Sequence, residues 1–331
     1  MGREFWPRLV PVTPADLTRT VVRAVRCAAA DGELPEGAAV PERVVVERTR
    51  PGGVGEYATP VAFQVAKAAV GASPREVARV LAARLGLEPG IERVEVTGAG
   101  FLNFVLGESA VAGLVAEMLV RGRRYVDAAD RVPLPAGELR AQAVGAAVRR
   151  IVLAQGAGYA DDGLDAAPVA RKDGDVVAAY GPDAVLWAVL RMPAHETPVF
   201  PAWLLRQDES SEFFRVRYGH ARARALLRNA ALLGFAPDAG PLDSDADALL
   251  GVLRDHPLAL EAAAHHRAPE RLARHLVELA DALLGFQYGV LPLGDEKPSA
   301  AHRARLALAE AAGAVLAGGL ALLGIDAPDR L

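Results

Sequence analysis

Arg93-Val94-Glu95-Val96-Thr97-Gly98-Ala99-Gly100-Phe101-Leu102-Asn103-Phe104-Val105-Leu106 places two short strand-like runs on either side of a glycine break. Residues 93–96 alternate polar with apolar, the period of a strand with one buried face, and Gly98, Gly100 and Gly107 bound the second run. Further upstream, Arg43 to Glu47 alternates in the same way. Thr13-Pro14-Ala15-Asp16 offers a side-chain cap, a proline that needs no N–H partner and an acid at the third helical position, and Ser73-Pro74-Arg75-Glu76 repeats the device. The spacing predicts helices over about 14–30 and 74–85 and a further one over about 109–121. The first ~107 residues therefore read as one small α+β domain.

The remainder has a different pattern. Gly137 to Gln155 is an amphipathic helix by its spacing of Leu139, Val144, Val148, Ile151 and Val152. Gly156 to Gly181 is rich in Gly, Asp and Ala and reads as a connector with at most one short strand. Beyond Pro201 the pattern is helical near 203–234, 244–254, 270–287 and 299–323, with breaks at Pro237, Pro241, Pro257, Pro269 and the Gly289 to Pro298 loop. The expected architecture is multidomain, α+β followed by all-α. Residues 1–128 form the α+β domain, 129–198 a degenerate central remnant and linker, and 199–331 a helix bundle.

At 331 residues, 52% hydrophobic and 24% charged, the chain has the composition of a folded protein of two or three domains, and disordered, collagenous and disulfide-rich classes do not fit. A single cysteine, Cys27, can form no internal disulfide, which a reducing compartment permits, and the expected location is cytoplasmic. Met1 to Val12 has no leader-like apolar run, and the longest later candidate, Ala311 to Leu323, is short for a membrane span and glycine-rich. A net charge of −4 argues against wholesale electrostatic binding of nucleic acid and leaves room only for a local patch. Lysine occurs only at 67, 172 and 297, so arginine is the default cation and a lone arginine carries little information.

Chemical signatures are sparse. The seven histidines include no HExxH and no cysteine partner, so they read as surface or cap residues and imply no metal site. Asp161-Asp162 reads as solvated charge. Gly52-Gly53-Val54-Gly55 and Gly98-Ala99-Gly100 match no phosphate-binding fingerprint and read as turn glycines. No cofactor is implied. The informative feature is Phe213 to Arg228, where Arg215, Arg217, Arg222, Arg224 and Arg228 interleave with Phe213, Phe214, Tyr218 and His220. Arg217, Arg224 and Arg228 share one helix face, and arginines among aromatics suit phosphate contact with base stacking. A solvated face over core aromatics explains the same residues.

The residues also resemble a family. Gly55-Glu56-Tyr57-Ala58-Thr59 and Val94-Glu95-Val96-Thr97-Gly98-Ala99-Gly100-Phe101-Leu102-Asn103-Phe104 look like the N-terminal additional domain of arginyl-tRNA synthetases. Tyr218-Gly219-His220-Ala221-Arg222 and the ending Leu323-Gly324-Ile325-Asp326-Ala327-Pro328-Asp329-Arg330 look like that family's DALR-type anticodon-binding bundle. The resemblance implies tRNA, or a tRNA-like RNA, as partner: Tyr57, Phe101 and Asn103 as elbow contacts, and Arg217, Tyr218, His220, Arg222, Arg224, Arg228, Phe286 and Tyr288 as contacts in the bundle. No membrane or DNA partner is implied.

The middle departs from the family. The resemblance places the ATP-contacting HIGH motif on Pro135-Ala136-Gly137-Glu138, where both histidines are absent, and the KMSK region near Lys172. Only 33 residues lie between Glu138 and Lys172, whereas one βαβ unit takes about 30. The leading expectation is a truncated arginyl-tRNA synthetase-like protein that binds tRNA without charging it. A second reading is a regulatory or scaffold protein whose bundle contacts a protein partner, favoured by 14 Lys plus Arg against 17 Asp plus Glu from Phe200 onward. A third is a residual arginine-tRNA ligase.

Overall fold

The computed structural model describes residues 13–42, 44–49, 53–69, 71–127, 139–159 and 166–331. It divides into two compact units, Met1–Leu114 and Val115–Leu331. The Pro135 to Glu138 and Asp161-Asp162 positions lie outside the described residues.

In the first unit, α1 (Pro14–Ala30) starts at a complete capping box. Thr13 Oγ1 accepts from the Asp16 N–H at 3.3 Å while the Asp16 carboxylate accepts from the Thr13 N–H at 3.0 Å. Helix α3 (Pro74–Leu85) starts where expected, but Ser73 makes no side-chain cap; its carbonyl accepts from Glu76 and Val77 instead, and Pro74 fixes the first turn. A short helix, α2 (Val61–Ala68), was not legible because Pro60 precedes it without any capping side chain.

Strands β1 (Glu47–Arg48), β2 (Tyr57–Thr59), β3 (Ile91–Thr97) and β4 (Phe101–Leu106) form an antiparallel sheet in the order β1-β2-β4-β3. Leu102, Phe104 and Leu106 alternate into a core shared with Leu17, Val21, Val77 and Leu81. Arg43 lies outside the described residues; from residue 44 on, the alternating segment enters the ladder at Glu47, and before that Thr59 Oγ1 donates to the Val45 carbonyl at 2.6 Å, a side chain taking the place of strand pairing. Gly100 stands at φ 145°, and a β-carbon there would lie 2.9 Å from the Pro74 carbonyl oxygen, so close backbone approach explains this glycine.

Helix α4 (Glu108–Asp127) continues past the expected 121 because Tyr125 is buried and Arg121 pairs with Glu117 one turn earlier at 2.5 Å. The second unit adds α5 (Leu139–Ala154), α6 (Val176–Tyr180), α7 (Pro182–Leu190), α8 (Glu212–Leu232), α9 (Asp247–His265), α10 (Pro269–Phe286) and α11 (Ala300–Leu323). Where the sequence predicts a connector with at most one short strand, α6 is a helix that begins with the Asp175 side chain accepting from the Ala178 N–H at 3.0 Å. Helix α7 follows it, and Ala184 to Leu190 are all buried, so it presents no amphipathic period to read. Pro257 does not end its helix; it sits buried inside α9, where Leu249, Leu253, Leu260 and Ala263 pack into the core and hold the turn that proline disfavours.

Arg140 on α5 organises the segments around it. It is buried and donates to backbone carbonyls only: Nη1 to Ala167 at 3.0 Å and to Glu196, Nη2 to Pro193 at 2.7 Å and Met192 at 3.4 Å. Burial pushes its pKa down, with Glu196 and Glu270 opposing.

Helices α8, α10 and α11 approach closely through small residues. A β-carbon on Gly313 would stand 2.7 Å from that of Ala223, and one on Gly219 3.2 Å from that of Ala280. Helix α11 is long and apolar enough, with mean hydropathy 1.9, to cross a membrane by length and composition, yet 78% of that stretch is buried within the structure as a core helix is.

Not all the histidines are surface or cap residues. His302 does complete the capping box of α11 with Ser299, but His220, His256 and His275 are buried. The ring nitrogens of His256 have no hydrogen-bond partner among the described residues, and the ring lies 5.2 Å from His275 and 6.3 Å from Tyr125. Burial holds the His256 pKa well below 6.5, helped by His275 and Arg121.

Gly313→Val is expected to lower unfolding stability by about 1–3 kcal/mol, read as a fall in the denaturant midpoint. Because His256 is depressed in the folded state, the unfolded chain binds a proton that the folded chain refuses once pH drops below about 6.5. Stability is therefore complete above that pH and declines below it, by at most about 1.4 kcal/mol per pH unit until the folded pKa is reached. Denaturant titrations between about pH 5 and 7.5 check this, and His256→Phe should flatten the slope.

Candidate nucleic-acid interface

In the first unit the three expected elbow contacts have different fates. Tyr57 is 1% exposed and belongs to the core, so its ring is not a surface group. Asn103 is also buried: its Nδ2 donates to Thr97 Oγ1 at 2.7 Å and to the Glu95 carbonyl at 3.4 Å, tying β3 to β4. Phe101 is exposed, and its ring meets Phe63 edge-on with centroids 5.1 Å apart.

In the second unit, Ser211 caps α8 by accepting from the Phe214 N–H at 3.2 Å, and the 100° step per residue sorts the cluster into two stripes. One stripe is Arg217, Arg224 and Arg228, the trio expected to share a face. The other is Phe214, Tyr218 and Arg222, whose positions are successive turns of the helix.

The first stripe is occupied by two carboxylates and a backbone carbonyl. Arg224 grips Asp329 with Nε at 3.0 Å from one carboxylate oxygen and Nη2 at 3.4 Å from the other, and Arg228 Nη1 donates to the Asp329 carbonyl at 3.2 Å. Arg217 reaches Asp183 at 4.0 Å and stacks over Phe213 with its guanidinium 5.1 Å from the ring centre. His220, expected as an RNA contact, is buried beneath: Nδ1 pairs with the Gly313 carbonyl at 3.1 Å, and Nε2 lies 3.6 Å from Asp329. Burial lowers the His220 pKa despite those two acceptors, while the hydrogen bonds from Arg224 hold the Asp329 carboxyl below its ordinary range. A groove of about 440 Å³ adjoins the cluster, lined by Arg123, Arg224, Glu310 and Asp329 over a floor that includes Gly313 and Ala314.

The second stripe is more open. Tyr218 is exposed and stacks on Phe214, with ring centres 5.3 Å apart and planes 12° from parallel. Arg222 Nε donates to Gln287 Oε1, and Gln287 Nε2 donates in turn to the Leu284 carbonyl at 2.9 Å. Tyr288, next in the chain, is 75% exposed, whereas Phe286 is buried at the end of α10. Arg215 flanks the stripe, bound to Asp281 at 3.0 Å. The arrangement offers two exposed aromatic rings beside two arginines, one held by Asp281 and the other by Gln287.

Residues 16–106 match the family described as arginyl tRNA synthetase N terminal domain, and residues 216–331 match the DALR anticodon binding domain. The two ends of the chain are arginyl-tRNA synthetase-like domains. Among solved structures it is similar to the Thermus thermophilus arginyl-tRNA synthetase, with 15% identity, a TM-score of 0.58, and coverage of 97% of this chain and 100% of that one. It is also similar to the Plasmodium falciparum arginyl-tRNA synthetase, with 9% identity, a TM-score of 0.57 and the same coverage. At these identities the likeness concerns the fold.

Sequence reasoning missed the partners that divide the arginines. Asp183, Asp281 and Asp329 are 34, 66 and 105 residues from the arginines they meet, with no local spacing to announce them. For a family-motif residue such as Asn103, the geometry specifies a structural role. Asn103→Ala is expected to destabilise the protein by about 1 kcal/mol in thermal or denaturant melts, the worth of the lost hydrogen bond to Thr97.

Proposed function

We propose that this chain binds tRNA or a tRNA-like RNA without aminoacylating it, and that the open stripe of α8 with Tyr288 is the surface on the helical unit that does so. The observation that carries this reading is the coincidence of the DALR match with exposed Tyr218 and Tyr288 beside Arg222 and Arg215. Aromatic faces stack on unpaired bases, at about 1–3 kcal/mol per base, and the guanidinium groups meet the phosphates between them. On the N-terminal unit, exposed Phe101 is the candidate contact. Loss of charging rests on the sequence between Glu138 and Lys172, too short for the strands of a nucleotide-binding fold, and on the missing histidines at the HIGH position.

A second reading, a scaffold that binds a protein partner through the bundle, draws on the excess of acid over base after Phe200 and on exposed apolar residues such as Leu293. Titration with tRNA at several salt concentrations separates the two. RNA binding should weaken with salt along a log–log slope of about −1.4 to −2.1, for two or three neutralised phosphates of unpaired RNA. Tyr218→Ala with Arg222→Ala should weaken it at least tenfold. No salt-dependent tRNA binding would favour the scaffold, and pyrophosphate exchange dependent on arginine and ATP would restore the ligase.

A further inference from the structure

We propose that Arg224 and Arg228 form a second phosphate seat, which the carboxylate of Asp329 occupies until a phosphate of bound RNA displaces it. The inference rests on the RNA reading above. Its geometry is that of an anion site already filled. The Arg224 fork meets both oxygens of one carboxylate, as it would meet two oxygens of a phosphodiester, and Arg228 closes the side through the neighbouring carbonyl. His220 stands behind with Nδ1 turned to the Gly313 carbonyl and Nε2 3.6 Å from the Asp329 carboxylate, so the seat is built by the two arginines over one buried imidazole.

The occupant is held loosely. The side chains of Arg224 and Asp329 are 47% and 59% exposed, and an ion pair that open to water changes an equilibrium by no more than about fivefold. Asp329 sits in a non-helical tail, beyond the left-handed Gly324 that ends α11, so its release disrupts no helix. The adjoining groove of about 440 Å³ gives a phosphate room to enter as the carboxylate leaves. On α8, Arg224 lies about 120° around the axis and about 9 Å along it from Tyr218, and Arg228 about 80° and about 15 Å, so the seat faces the next side of the helix and RNA stacked on Tyr218 reaches it by following the helix round.

The test compares the full-length protein with Asp329→Asn, with Arg224→Ala/Arg228→Ala, and with all three substitutions together, each checked for an unchanged melt. Tripolyphosphate binding is measured by calorimetry and tRNA binding by anisotropy. Asp329→Asn should tighten tripolyphosphate and tRNA by about two- to fivefold and steepen the tRNA salt slope by about one. The gain should vanish in the triple variant. Unchanged tripolyphosphate affinity in Asp329→Asn overturns the seat even if the wild type binds tRNA. A gain for tripolyphosphate in a protein that ignores tRNA keeps the seat and removes the RNA reading on which its natural occupant depends. If Asp329→Asn melts early, Asp329→Glu replaces it, and a longer acid filling the seat should weaken both ligands or leave them as in wild type; a gain there counts against the mechanism.

Discussion

The helical unit depends on how near α8 can come to α11, and that distance is set by Gly313. With hydrogen in place of a side chain, Ala223 packs against it, and the same glycine's carbonyl is left within reach of His220 Nδ1. Close packing at this crossing fixes the rotation of α8 about its own axis. That rotation decides which arginines face the C-terminal tail and which stand beside Tyr218. A volume change of one methyl group in such a contact is felt because protein interiors are packed at crystal-like density.

Much of the fold was legible because its signals are local. Thr13-Pro14 and Pro74 mark helix starts that need only the next few residues, and the Gly98 to Gly100 break between β3 and β4 is a backbone requirement visible in one dimension. The failures share the opposite property. Helix α7 is buried all round, α9 runs through Pro257, and His256 is enclosed by α4 and α10, so each depends on neighbours distant in sequence. The grouping of Arg217, Arg224 and Arg228 followed from helical geometry alone. That two carboxylates and a backbone carbonyl cover them did not, since these partners arrive from elsewhere in the chain.

Motif residues likewise divide by environment. Tyr57, Asn103, His220 and Phe286 stand in family-like motifs but are buried, and they shape surfaces without forming them. Phe101, Tyr218 and Tyr288 come from the same motifs and reach solvent. A resemblance in sequence identifies both groups equally, and accessibility separates the residues that can touch a ligand from those that position them.

Arg140 fastens residues 167 and 192–196 through carbonyl oxygens, which every amino acid carries. Such a clasp is indifferent to side-chain identity and sensitive to spacing. Substitutions at Ala167 and along residues 192–196 should therefore be forgiven where a one-residue insertion or deletion would not, while the buried α7 between them keeps its own demand on side-chain identity.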